Sequence, residues 1–179
     1  MYIRLLLLLL IVSWLPVRSQ QILSQMDEKK FLDSLQHVIK TTTSDSIKAN
    51  TYFFISDYWR FKDTTKSREA LNKGRALVFS EDSPPSGQAY LKGLYHFYLG
   101  QHYFNWNKPL AAKAYQEAEQ IIRPYNHSGA LLVRAASWYN YALMVRAEKG
   151  DNFVTDILLN KSIPLADKTD NLEKRAHYY

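Results

Sequence analysis

The sequence predicts an all-α protein in which antiparallel helix pairs stack into a solenoid. Three observations carry this. Apolar residues recur at helical spacing from residue 27 to 166, in runs separated by short polar, glycine or proline breaks. Small residues recur at matching places in successive helix pairs, each with large residues beside it. The composition, 46% hydrophobic and 22% charged over 179 residues, supports one compact domain with a real core rather than a disordered chain.

Phe31, Leu32, Leu35, Val38 and Ile39 mark a first amphipathic helix over 27–40, within an N-terminal segment 20–44. The break at Thr41–Asp45 is rich in capping residues. A second helix is expected from Ile47 to Phe61, with Tyr52, Ile55 and Trp59 on one side, and a third from Lys66 to Phe79. Glu81–Gly87, with Pro84 and Pro85 adjacent, is the strongest breaker. Further helices are expected at Gln88–Asn105, Pro109–Ile122, Ala130–Glu148 and Phe153–Ala166, where Pro164 ends or bends the last one. The pairs then occupy about 45–80, 88–123 and 130–166, and residues 167–179 begin a further, truncated helix.

The repeat is visible when Ser56, Gly100 and Ala142 are aligned. Four residues before each stands Tyr52, His96 or Trp138, and three after stands Trp59, Tyr103 or Val145. Eleven after the first two anchors come Ser67 and Ala111, followed by Leu71 and Tyr115, then Gly74 and Ala118. Small residues let two helices approach, and large ones fill the space between them. Such pairs cannot bury their faces alone and must stack.

Residues 1–19 read as an export signal. Arg4 gives a positive start, Leu5–Leu15 an apolar run of about eleven residues, and Val17-Arg18-Ser19 a cleavage site after Ser19. The run is shorter than the roughly 20 residues that span a bilayer. Removal of Arg4 and Arg18 takes the formal charge from +6 to +4, and the remaining basic residues are scattered, which disfavours a nucleic-acid face. With no cysteine, the chain can form no disulfide and carry no thiol-linked lipid.

The small-and-aromatic pattern resembles the tetratricopeptide repeat. In the clearest copy the resemblance rests on His96, Leu99, Gly100, Tyr103, Ala111, Tyr115, Ala118 and Pro124. A first copy follows at Tyr52, Ile55, Ser56, Trp59, Ser67, Leu71 and Gly74, and a looser third at Trp138, Tyr141, Ala142, Val145, Thr155, Leu159 and Ser162. The anchors lie 44 and 42 residues apart, longer than the family's period of about 34. The resemblance implies a right-handed solenoid with a concave, ligand-binding wall. The order of export signal, FLDSLQ helix, TTTSDSIKAN break and repeats is similar to the extracytoplasmic N-terminal region of sensor histidine kinases and helix-turn-helix regulators from Bacteroidetes-type bacteria. That resemblance implies a periplasmic or extracytoplasmic module of a larger regulator. The stretch AYLKGLYHFYLGQHYF also resembles the helices of outer-membrane glycan-binding lipoproteins, which need a lipidated cysteine and a longer chain.

The five histidines form no HExxH pair, no phosphate-binding glycine loop occurs, and no two carboxylates are singled out for acid–base work. No catalytic residue, metal ligand or cofactor is therefore expected. The expected ligand is a protein or peptide, and the membrane is reached only through a downstream segment or an uncleaved signal. By offset from the anchors, the concave wall is lined by Asn50, Phe53, Asp57 and Arg60, then Phe97, Gln101 and Phe104, then Tyr139, Leu143 and Arg146. Aromatics there would supply buried area, and the arginines would meet a carboxylate or a carbonyl. The competing expectations are that the aromatics are core of a structural scaffold, or that Phe104 or Trp106 stacks a sugar.

Overall fold

The structure, a computed structural model, describes residues 28–80 and 85–169. The expected export signal, residues 81–84 of the expected break, and residues 170–179 of the helix expected over 167–179 lie outside the described residues, and 167–169 form a turn. The chain divides after Thr41 into two compact units. The first contains helix α1, residues 28–41, in which Thr41 Oγ1 donates to the carbonyl of His37 at 2.9 Å.

The second unit holds α2 (Asp45–Trp59), α3 (Thr64–Val78), α4 (Pro85–Tyr103), α5 (Lys108–Ile122), α6 (Ser128–Lys149), α7 (Asp151–Ile157) and α8 (Ile163–Ala166). All described secondary structure is helical. Helices α2, α3, α5 and α6 begin one or two residues before the apolar pattern does, because the first turn is set by capping rather than by burial. Ser44 Oγ accepts from the Ile47 amide at 3.4 Å, Asp63 from Lys66 at 3.0 Å, Asn107 from Leu110 at 3.1 Å, and His127 Nδ1 from Ala130 at 3.2 Å. Gly150, at φ 81°, takes the left-handed conformation that separates α6 from α7.

Neighbouring helices run antiparallel. Ser56 near the end of α2 meets Ser67 near the start of α3, their hydroxyls 3.2 Å apart, while Gly74 late in α3 lies against Phe53 earlier in α2. Gly100 lies against Tyr115, and Gly93 against Ile122, so α4 and α5 oppose in the same way. Alternate helices run parallel. Phe53 stacks on Tyr98 at 5.6 Å and Arg60 donates to Gln101, which aligns α2 with α4. Tyr90 meets His127 at 4.9 Å, and Phe97 shares a groove with Val133, which aligns α4 with α6. Helices α2, α4 and α6 thus line up on one side, with α3 and α5 packed between and behind them.

The small residues sit where the chain approaches itself. A Cβ added to Gly100 would lie 2.6 Å from Tyr115 Cε1, and one on Gly74 would lie 2.5 Å from Phe53 Cε1. Ala111, Tyr115 and Ala118 are fully buried around the first of these contacts. Tyr103, expected in the interior, is only half-buried and hydrogen-bonds Arg68, and its neighbour His102 takes the buried place. Gly100→Leu should therefore overpack the α4–α5 contact and lower stability by about 1–3 kcal/mol. Urea unfolding measures this, and an unchanged midpoint would mean the contact gives way freely.

The third helix pair departs from the expected register. Thr155 and Leu159 are exposed, whereas Ile157, Ser162 and Ala166 are buried. From Leu158 to Ser162 the helix widens into a π-helical turn, in which the Ile163 amide donates to the carbonyl of Leu158, five residues back. Pro164 has no amide to continue the α-helical ladder, and the wider turn just before it rotates the apolar face.

Candidate functional site

The parallel helices leave a groove of about 480 Å³ between them. Residues one turn apart on each helix face the same way, so a stripe from each wall can reach it. Helix α2 and its C-cap supply Phe54, Asp57 and Arg60, and α4 with the residue just after it supplies Phe97, Tyr98, Gln101 and Phe104. From α6 come Leu132, Val133, Ala136, Tyr139 and Asn140.

Six of the ten residues expected on the concave wall, Asp57, Arg60, Phe97, Gln101, Phe104 and Tyr139, are brought together here. Leu143 and Arg146 lie beyond Phe104 in an adjoining cavity of about 740 Å³, with Met144 and Asp151. Asn50 is half-buried and lines neither cavity. Phe53 is a correction: it is 0% exposed, wedged against Gly74 and stacked on Tyr98, and so belongs to the core. Its neighbour Phe54, 45% exposed, faces the groove instead. One residue along a helix is a rotation of about 100°, and the Phe53-Phe54 doublet hides that choice from sequence.

A polar seam crosses the groove floor. Arg60 Nη1 lies 3.1 Å from Asp57 Oδ1 and donates to Gln101 Oε1, which also accepts from the Tyr115 hydroxyl at 3.2 Å. Three helices, α2, α4 and α5, are tied at that one amide. Burial raises the Tyr98 and Tyr115 hydroxyls above the ordinary phenol range, with the Asp57 charge acting in the same direction. Both are therefore neutral donors at any physiological pH. Arg146 is exposed and paired with Asp151, whose carboxyl is held below its usual range by that hydrogen bond and charge.

Chemically, the groove offers aromatic area, the two amides of Gln101 and Asn140, and one partly shielded ion pair. Among the described residues no group of three His, Cys, Asp or Glu side chains could hold a metal ion, and no helix is long and apolar enough to cross a membrane. Comparison of the chain with protein-family models, curated proteins and solved structures finds no match.

Two polar clusters escaped the sequence reading. Glu119, 4% exposed, accepts from Arg134 on α6 at 3.2 and 3.3 Å and from Arg123 at 2.6 Å. The available signal was a glutamate set among Tyr115, Ala118 and Ile122, with Arg123 four residues on. His102, 3% exposed, lies 3.0 Å from Ser67 Oγ through Nδ1, while Arg68 Nε donates to its Nε2 at 3.2 Å. Arginine can only donate, so the ring is neutral with its proton on Nδ1, donated to Ser67. Desolvation first, and then the Arg68 charge, pushes its pKa down to about 4. His96 differs: its Nδ1 lies 2.8 Å from Glu117, and burial outweighs that carboxylate in lowering its pKa.

Proposed function

We propose that this chain is a non-catalytic, exported module that binds a protein or peptide segment in the groove between α2, α4 and α6. Its helix pairs are read as stacked in the right-handed, tetratricopeptide-like manner. The module would serve as the sensory or scaffolding part of a larger signal-transduction protein. One observation carries the binding reading: six of the ten residues picked by repeat offset, drawn from three helix segments, line a single groove. Its rigid rings, with a guanidinium and an amide between them, suit an extended segment that presents apolar side chains and backbone carbonyls.

The test is to select peptides from a displayed random library against the chain and titrate the winners calorimetrically. Arg60→Ala combined with Tyr139→Ala should weaken binding at least tenfold, on the order of 1.4 kcal/mol or more. Lys113→Ala, on the exposed side of α5, should leave it unchanged. Undiminished binding by the double variant would remove the groove from the reading. The parentage has its own test in the coding sequence beyond Tyr179. A transmembrane helix followed by kinase or helix-turn-helix sequence supports a regulator, and an immediate stop codon overturns it.

A further inference from the structure

Helix α3 packs against α2 and α4, and its outward stripe of Thr65, Glu69, Asn72 and Ala76 is exposed. Cations flank that stripe on both sides. Lys66 and Lys73 stand on the α2 side, and Arg68 and Arg75 on the α4 side. Seven residues separate the members of each row, about 10 Å along a helix. Lys62 before α3 and Lys92 on α4 extend the rows at opposite ends.

Each of these six cations rests over an aromatic ring. Lys62 lies 4.2 Å from the Tyr58 ring centre, Lys66 4.4 Å from Trp59, and Lys73 6.0 Å from Tyr52. Arg68 lies 5.4 Å from Tyr103, while Arg75 and Lys92 lie 5.4 and 5.3 Å from Phe79, whose ring is 41% exposed. Ring contact holds a long cationic side chain in place without neutralising it. Among the described residues, the acidic groups on the same face are Asp63, which caps α3 and pairs with Lys66, and Glu69 in the stripe itself. Even without Lys62, five cations stand against these two carboxylates among the described residues, which leaves a positive excess on a protein whose basic residues are otherwise scattered.

From this array we infer that the α3 face docks the protein on an anionic phospholipid surface. Charge complementarity selects an anionic partner. Two rows of cations along one exposed helix suit the many phosphates of a bilayer surface, and the tyrosine and tryptophan rings beside them are of the type that settles at a membrane interface. This gives the chain a route to a membrane besides an uncleaved signal or a downstream segment. It uses none of the groove residues, so it stands or falls apart from the binding reading.

The experiment is vesicle co-sedimentation of the full chain, with phosphatidylcholine alone and with phosphatidylcholine containing 30% phosphatidylglycerol as probes. A cation near an anionic surface is worth about fivefold in partition, and that attraction is screened by salt. Wild type should favour the anionic vesicles by at least about 100-fold and lose that preference in high salt. Lys66→Gln, Lys73→Gln and Arg75→Gln together should reduce binding about 100-fold. All three side chains are exposed, and a circular dichroism melt checks that the variant folds. If it does not, Lys73→Gln with Lys92→Gln should still reduce binding at least tenfold. A control that removes the same charge elsewhere, Lys113→Gln, Lys149→Gln and Lys161→Gln, should bind as wild type does. Equal binding to both vesicle types, equal loss in the control, or retention by a sulfated polysaccharide with none by vesicles would each overturn the proposal.

Discussion

Glu119→Ala is expected to destabilise the fold by about 3–5 kcal/mol, the cost of leaving a buried charge without its partner. Glu119 is 4% exposed, and the Arg134 side chain that reaches it from α6 is only 14% exposed. Arg123, on the other side of the carboxylate, is 61% exposed and returns to water readily. Arg134, at 14% exposure, has far less access to water. The pair is thus a device that is costly to half-remove rather than a large net source of stability. Glu119→Met together with Arg134→Leu should recover most of the loss, since apolar residues of similar volume need no desolvation of charge. Urea unfolding of the single and double variants decides it. A single-variant loss under about 1 kcal/mol would place the pair with ordinary surface bridges.

Acidification from pH 7.5 to 5.0 should lower stability by about 2 kcal/mol through His102 alone. The folded imidazole is held near pKa 4, against 6.5 for an ordinary histidine. Above pH 6.5 the ring is neutral in both states, and the contribution is complete. Below it the unfolded chain takes up a proton that the folded chain refuses, so stability falls until the pH nears 4. Protonation in the folded state would require Nε2 to face the Arg68 guanidinium as a second cation. His96, also lowered, adds to the same slope. His102→Gln should flatten the dependence between pH 6.5 and 5.0, measured as the change in urea midpoint at each pH. Identical slopes for wild type and variant would show that His102 titrates normally.

Much of the helical framework could be read from the chain because its determinants are local. Ser44, Asp63 and Asn107 cap the helices from adjacent sequence, and the apolar spacing that marks each helix closes within two turns. The small positions Ser56, Ser67, Gly74, Gly100 and Ala118 were legible for a related reason. A close contact between sequential helices joined by short turns depends on a few neighbouring residues, and all of these positions are buried. The groove was legible only to within one residue of rotation. Asp57, Arg60 and Gln101 were assigned to it, yet Phe53 turned inward and Phe54 outward.

By itself the sequence determined that this protein is all-helical, where its breaks fall, and which small residues admit close packing. Each follows from chain segments of a few turns. Only the tertiary structure decided which phenylalanine reaches the groove, that Glu119 pairs across to Arg134, that His102 lies against Ser67, and how the last helix regains its face before Pro164. These depend on the rotation of each helix about its axis and on the depth at which two helices meet. Partners 15 and 35 residues apart are brought within hydrogen-bond reach by packing that no local spacing specifies.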